Sequence, residues 1–82
     1  MLNQETLLAR ITVNPSIMTG KPTIRGLRIT VEQLLRALSG GVTEQELLDD
    51  YPELEREDFL AIFSYVTELV AEEQVFPVAV SA

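Results

Sequence analysis

The 82-residue sequence contains no cysteine and no histidine. Without cysteine there is no disulfide, no thiolate nucleophile and no cysteine-based zinc site. Without histidine the commonest general base at neutral pH and the commonest metal ligand are both missing. Serine or cysteine nucleophiles activated by histidine are excluded with them. Long apolar runs are also absent. The longest, Val75 to Val80, falls far short of the roughly 20 residues that a membrane-spanning helix needs. The opening stretch MLNQETLLAR is too short and too polar for a secretory signal. The single Asn-x-Ser, Asn14-Pro15-Ser16, carries the proline that blocks glycosylation. These absences set an expectation of a cytoplasmic, non-enzymatic protein with no cofactor, no metal, no membrane and no small-molecule substrate.

Apolar residues make up 46% of the chain, ample for one core and consistent with one domain over 1–82. A domain this short buries only about 60–65% of its unfolded surface, so completing the core by oligomerisation is expected, with a homodimer as the simplest form. Charge is unevenly spread. Residues 1–40 carry Arg10, Lys21, Arg25, Arg28 and Arg36 against Glu5 and Glu32. Residues 41–82 carry Arg56 against eleven acids, and the whole chain has a net charge of −7. A basic first half and an acidic second half suggest two faces with different partners.

The local signals place the elements. Residues 1–9 read as a short helical turn. The β-branched stretch Arg10-Ile11-Thr12-Val13 reads as a short strand, broken by Asn14-Pro15. Thr23 to Ile29 reads as a tight hairpin with Gly26 in its turn and Ile24 and Ile29 as apolar anchors. Thr30-Val31-Glu32-Gln33 matches a capping box and opens a helix to about Leu38, with Val31, Leu34, Leu35 and Leu38 on one face. Ser39-Gly40-Gly41 ends it. Thr43 to Glu46 matches a second capping box for a helix over 44–50, which Pro52 closes. The longest helix is expected over 55–73, with Phe59, Ile62, Phe63, Val66, Leu69 and Val70 as its core stripe. Tyr65 lies off that stripe and is a candidate for an interface. The sequence thus predicts a mainly α protein: short strands and a hairpin over 10–30, a three-helix core of helix-turn-helix type over 31–73, and an extended tail over 74–82.

Two segments make this arrangement recognisable: Gly20-Lys21-Pro22-Thr23-Ile24-Arg25-Gly26, and Gly41-x-Thr43-x-x-Glu46-Leu47-Leu48-Asp49-Asp50-Tyr51-Pro52-x-Leu54. Arg10-Ile11, Arg28-Ile29-x-Val31 and Glu57-Asp58 flank them. The chain resembles the bacterial and archaeal family called domain of unknown function 433, over about residues 10–66. The resemblance implies a homeodomain-like helix-turn-helix with a small β element. It also implies an antitoxin role of the VapB type, encoded beside a PIN-like ribonuclease toxin. The chain departs from the usual pattern at Leu27, where threonine is common, at Thr30, where proline is common, and at Thr19, which replaces the first glycine of a frequent Gly-Gly pair.

Lys21, Arg25 and Arg28 form the basic cluster, and two readings stand side by side: contact with phosphate or an acidic partner, or pairing with the protein's own acidic helices. On the resemblance, they are the side chains suited to cover the acidic metal site of a PIN-like nuclease. A dimeric DNA-binding regulator working through the same basic hairpin is the alternative. Conventional groove reading by the last helix is disfavoured, because Glu53, Glu55, Glu57 and Asp58 stand against Arg56 at its start and would repel phosphates. Gly20-Lys21-Pro22-Thr23 is similar to the end of a phosphate-binding loop, but Pro15 and Pro22 occupy positions that the loop reserves for glycine and a hydroxyl residue. The acid pairs Asp49-Asp50 and Glu72-Glu73 read as solvated surface. Val75, Phe76 and Val78 in the apolar tail join Tyr65 as candidates for a dimer or partner interface.

Overall fold

The computed structural model describes residues 3–72. Their order is α1 (Gln4–Leu8), β1 (Ile11–Thr12), a short 3₁₀ turn (Met18–Gly20), β2 (Thr23–Ile24), α2 (Val31–Ser39), α3 (Glu44–Asp50) and α4 (Arg56–Glu72). The fold is mainly α with a short antiparallel β element near the N-terminus. None of the described helices is long and apolar enough to cross a membrane.

The β element differs in one respect from the expected hairpin. Arg25 and Gly26 form its two-residue turn, both with positive φ (46° and 74°), as a type I′ turn requires. The Leu27 N–H donates to the Ile24 carbonyl at 2.7 Å, and the Ile24 N–H to the Ile29 carbonyl at 3.0 Å. The second arm, however, contributes only a bridge at Thr23↔Thr30. The strand partner of β2 is β1, in the register Ile11↔Ile24 and Thr12↔Thr23. A few residues cannot hold a hairpin alone, so β2 takes the more distant strand as well. Gly26 is needed for its backbone angle rather than for space, since a Cβ there would meet nothing within 4 Å.

The helix starts follow the threonines. The Thr30 hydroxyl accepts from the Gln33 N–H at 3.0 Å, and the Thr43 hydroxyl from the Glu46 N–H at 3.1 Å. The reciprocal half of each expected capping box is not formed. The Gln33 side chain donates instead to the Tyr51 hydroxyl at 2.7 Å, tying α2 to the end of α3. The Glu46 carboxylate accepts from the Thr43 hydroxyl rather than from its backbone. That reciprocal bond appears at α4, where Asp58, the third helical residue, accepts from the Glu55 N–H at 2.7 Å.

Among the described residues the core draws on the β element and on α2, α3 and α4. Ile24, Ile29, Val31, Leu34, Leu47, Leu54, Phe59 and Ile62 form one buried cluster, with Ile11, Leu35, Tyr51, Tyr65 and Val66 packed at its edge. Burial on α4 departs from the expected stripe. Phe59, Ala61 and Ile62 are fully buried, but Phe63 is 42% exposed, and Leu69 and Val70 are exposed too. α1 packs along α4, and its Gln4 side-chain amide donates to Glu68. Ala61 and Glu68 lie seven residues apart on one side of the helix. Phe63 lies on the opposite side, which the described residues leave partly uncovered.

Candidate functional site

Two arginines from the N-terminal region converge on one buried carboxylate at the start of α4. Arg25 projects from the β turn, and its Nε and Nη2 donate to Asp58 Oδ1 and Oδ2 at 3.1 and 3.0 Å. Its Nη2 also donates to the Glu53 carbonyl at 2.6 Å. Arg10, just before β1, donates through Nη1 to Asp58 Oδ1 at 3.0 Å and to Glu55 Oε1 at 2.7 Å. With the Glu55 N–H, Asp58 thus accepts four hydrogen bonds while showing no exposed surface. Burial pushes the Asp58 carboxyl up. The bonds from Arg25, the Glu55 N–H and Arg10 outweigh burial and hold it below the ordinary carboxylate range. Arg25 is held charged mainly by Asp58, and Arg10 mainly by Glu55 and then by Asp58. Two cations balance two anions, so the cluster joins the β element to α4 without a net charge.

Arg25 is therefore turned inward, while the other two members of the basic cluster sit elsewhere. Lys21 Nζ donates to Glu32 Oε1 at 3.0 Å on the surface of α2, and Arg36 pairs with the same carboxylate at 2.9 Å. Those two cations, Lys21 first, pull Glu32 below its ordinary range. Arg28 is exposed, and among the described residues its side chain makes no ion pair and no hydrogen bond. It shares a hollow of about 460 Å³ with Pro15, Ser16, Met18, Thr19, Lys21 and Thr30. Among the described residues no acidic side chain lines that hollow.

Beside the hollow runs an apolar groove of about 320 Å³ between α2 and α4. Val31 and Leu35 form one wall; Tyr65, Val66 and Leu69 form the other. Lys21, Glu32 and Arg36 stand on its rim, and Lys21 belongs to both depressions. Tyr65 is half-buried in the groove wall, where its ring packs against the core edge. Val75, Phe76 and Val78 lie outside the described residues. Among the described residues no three carboxylates converge into a cluster that could hold a metal ion.

Sequence reasoning missed Asp58. It read as one acid among several in the first turn of a helix, where the dipole favours negative charge. Two signals could have marked it: its place three residues into α4, where a carboxylate can reach back to the N-cap, and its position on the face shared with Ile62 and Tyr65, which a purely solvated acid would avoid.

Residues 11–66 match the model of a family described as a protein of unknown function, DUF433. No curated protein and no solved structure matches the chain. The matched span begins at β1 and ends inside α4, so it contains Arg25, Asp58 and the walls of the groove as far as Val66. On that span the chain belongs to the DUF433 family.

Proposed function

We propose that this protein is a non-enzymatic interaction subunit of antitoxin type, whose partner is a PIN-like ribonuclease. The observation that carries the reading is the adjacency of the apolar groove and the cationic hollow through Lys21. A groove with apolar walls takes an apolar segment of another protein, with specificity set by the polar groups at its rim. Arg28 and Lys21 beside it suit an acidic surface, and a nuclease metal site lined with carboxylates is such a surface. Arg25 has a different part in this reading. Its fork is occupied by Asp58, so it shapes the turn that presents Arg28 rather than meeting the partner itself.

Co-expression with the product of the adjacent gene, affinity purification and a ribonuclease assay test the proposal. A stable complex with suppressed activity is expected, weakened by Arg28→Glu and by Leu35→Glu. Absence of a complex, with activity untouched, would overturn it. A second reading, a DNA-binding regulator, draws on Arg28, which has no partner among the described residues, beside Lys21. It requires binding that falls steeply with salt and is lost in Arg28→Glu. Undetectable binding at low salt removes it.

A further inference from the structure

Apart from the groove, one face of α4 has no cover among the described residues. Leu60, Phe63, Thr67 and Val70 recur at spacings of three, four and three, which places them in a single row along the helix. Leu60 is 48% exposed, Phe63 42% and Val70 62%. The Thr67 hydroxyl donates to the Phe63 carbonyl at 2.7 Å, so it is satisfied within its own helix and asks nothing of a neighbour. The acids of α4 lie elsewhere: Asp58 is buried, and Glu57, Glu68 and Glu72 lie on another side of the helix, where Gln4 of α1 bonds Glu68. The one charged residue in line with the apolar row is Arg56, drawn toward α3 by its bond to Gln45 Oε1 at 3.2 Å. A solvated helix face would carry charge; this one carries three large apolar side chains over three turns.

We infer that this row is the contact between two copies of the chain, with the two α4 helices antiparallel. Three observations select a second copy in that orientation. First, each copy carries a net charge of −7, so two copies repel through most of their surface and approach at least cost through an uncharged face. Second, a two-fold interface must be self-complementary, and this row is. Centred between Phe63 and Thr67, the antiparallel pairing lays Phe63 over Thr67 of the second copy, large against small, and Leu60 over Val70. Third, the charges at the ends favour it. Antiparallel pairing brings Arg56 of each copy near the Glu72 end of the other and separates the two acidic first turns. Parallel pairing would set Arg56 against Arg56 and stack both acidic turns side by side. A contact built on one helix face is at the small end of stable interfaces, which bury about 800 Å² per partner, so the dimer dissociates on dilution. This inference stands apart from the groove, which lies on another side of α4 and stays open in the dimer.

Light scattering and sedimentation of the full chain over a range of concentrations test it. A monomer–dimer equilibrium is expected, weakened at least about thirtyfold by Phe63→Glu with the helical circular dichroism unchanged. The absence of native cysteine allows a direct test of register. Leu60→Cys and Val70→Cys, each alone, should give no disulfide-linked dimer on mild oxidation, whereas the two mixed should cross-link readily. Both cysteines stand at exposed positions, so this arm decides the matter even if Phe63→Glu fails to fold. A monomer at all concentrations, cross-linking of either single variant with itself, or no cross-link in the mixture overturns the inference.

Discussion

Arg25 and Asp58, thirty-three residues apart, meet in a two-pronged pair with N···O distances of 3.1 and 3.0 Å, and the carboxylate has no contact with water. A type I′ turn asks for positive φ at both central residues, and Arg25 adopts it at 46° although it has a Cβ. The paired fork compensates for that backbone cost, and it fixes the turn against the start of α4. The same carboxylate gathers Arg10, so removing it releases two cations at once.

Asp58→Asn is expected to destabilise the fold by about 3 kcal/mol. Breaking a buried pair leaves a buried charge unmatched, and the partial exposure of Arg10 and Arg25 relieves only some of that loss. Urea unfolding followed by circular dichroism measures it. A midpoint equal to that of the parent chain would mean that the cluster contributes nothing.

Acid should weaken the parent chain more than the Asp58→Asn variant. The folded carboxyl is held below its unfolded value, so its stabilisation is complete above about pH 4. It is lost as pH falls through the lower folded value. The gap in stability between parent and variant should therefore narrow as pH falls from about 4 to about 2. A gap that stays constant over that range contradicts the assignment.

Arg25→Lys should cost about 1–2 kcal/mol, since an ammonium can replace the charge but not the planar fork that engages both carboxylate oxygens and the Glu53 carbonyl. Arg28→Ala, at an exposed position with no described partner, should change stability by no more than about 0.5 kcal/mol. Comparing the two by thermal melting separates the inward arginine from the outward one.

Thr19→Gly should stabilise the protein by about 1 kcal/mol. Thr19 is β-branched and sits at φ 55°, a conformation that glycine adopts without steric cost. The hydroxyl bond to the Met18 carbonyl that it would lose is exposed and offsets little. An unchanged or lower melting temperature would show that the left-handed turn is not strained at this residue.

Much of the helical layout was legible because its causes are local. Thr30 and Thr43 cap helices within three residues of themselves, Gly40-Gly41 and Pro52 stop them, and the bounds of α3 follow from those signals alone. The β element was half legible. The Arg25-Gly26 turn is a property of its dipeptide, but the choice of β1 as partner for β2 depends on a segment eleven residues away or more. On α4 the apolar period was visible and its buried side was not. Phe63 and Ile62 are equally apolar neighbours, and only the packing of other elements against α4 decides that Ile62 is enclosed in the core and Phe63 is exposed.

The candidate site divides in the same way. Lys21, Arg25 and Arg28 stand out in sequence as a basic cluster in an acidic chain, and composition and spacing suffice for that. Whether each one faces inward or outward does not follow from spacing, because it depends on which acid arrives beside it once the chain has closed. Sequence alone determined the elements, their caps and the charge asymmetry, since these rest on hydrogen bonds and periodicities spanning a few residues. Only the tertiary structure decided that Asp58 would be buried between two arginines, and that among the described residues Arg28 would find no partner and one face of α4 no cover. Those outcomes rest on contacts between segments dozens of residues apart, whose geometry no local pattern contains.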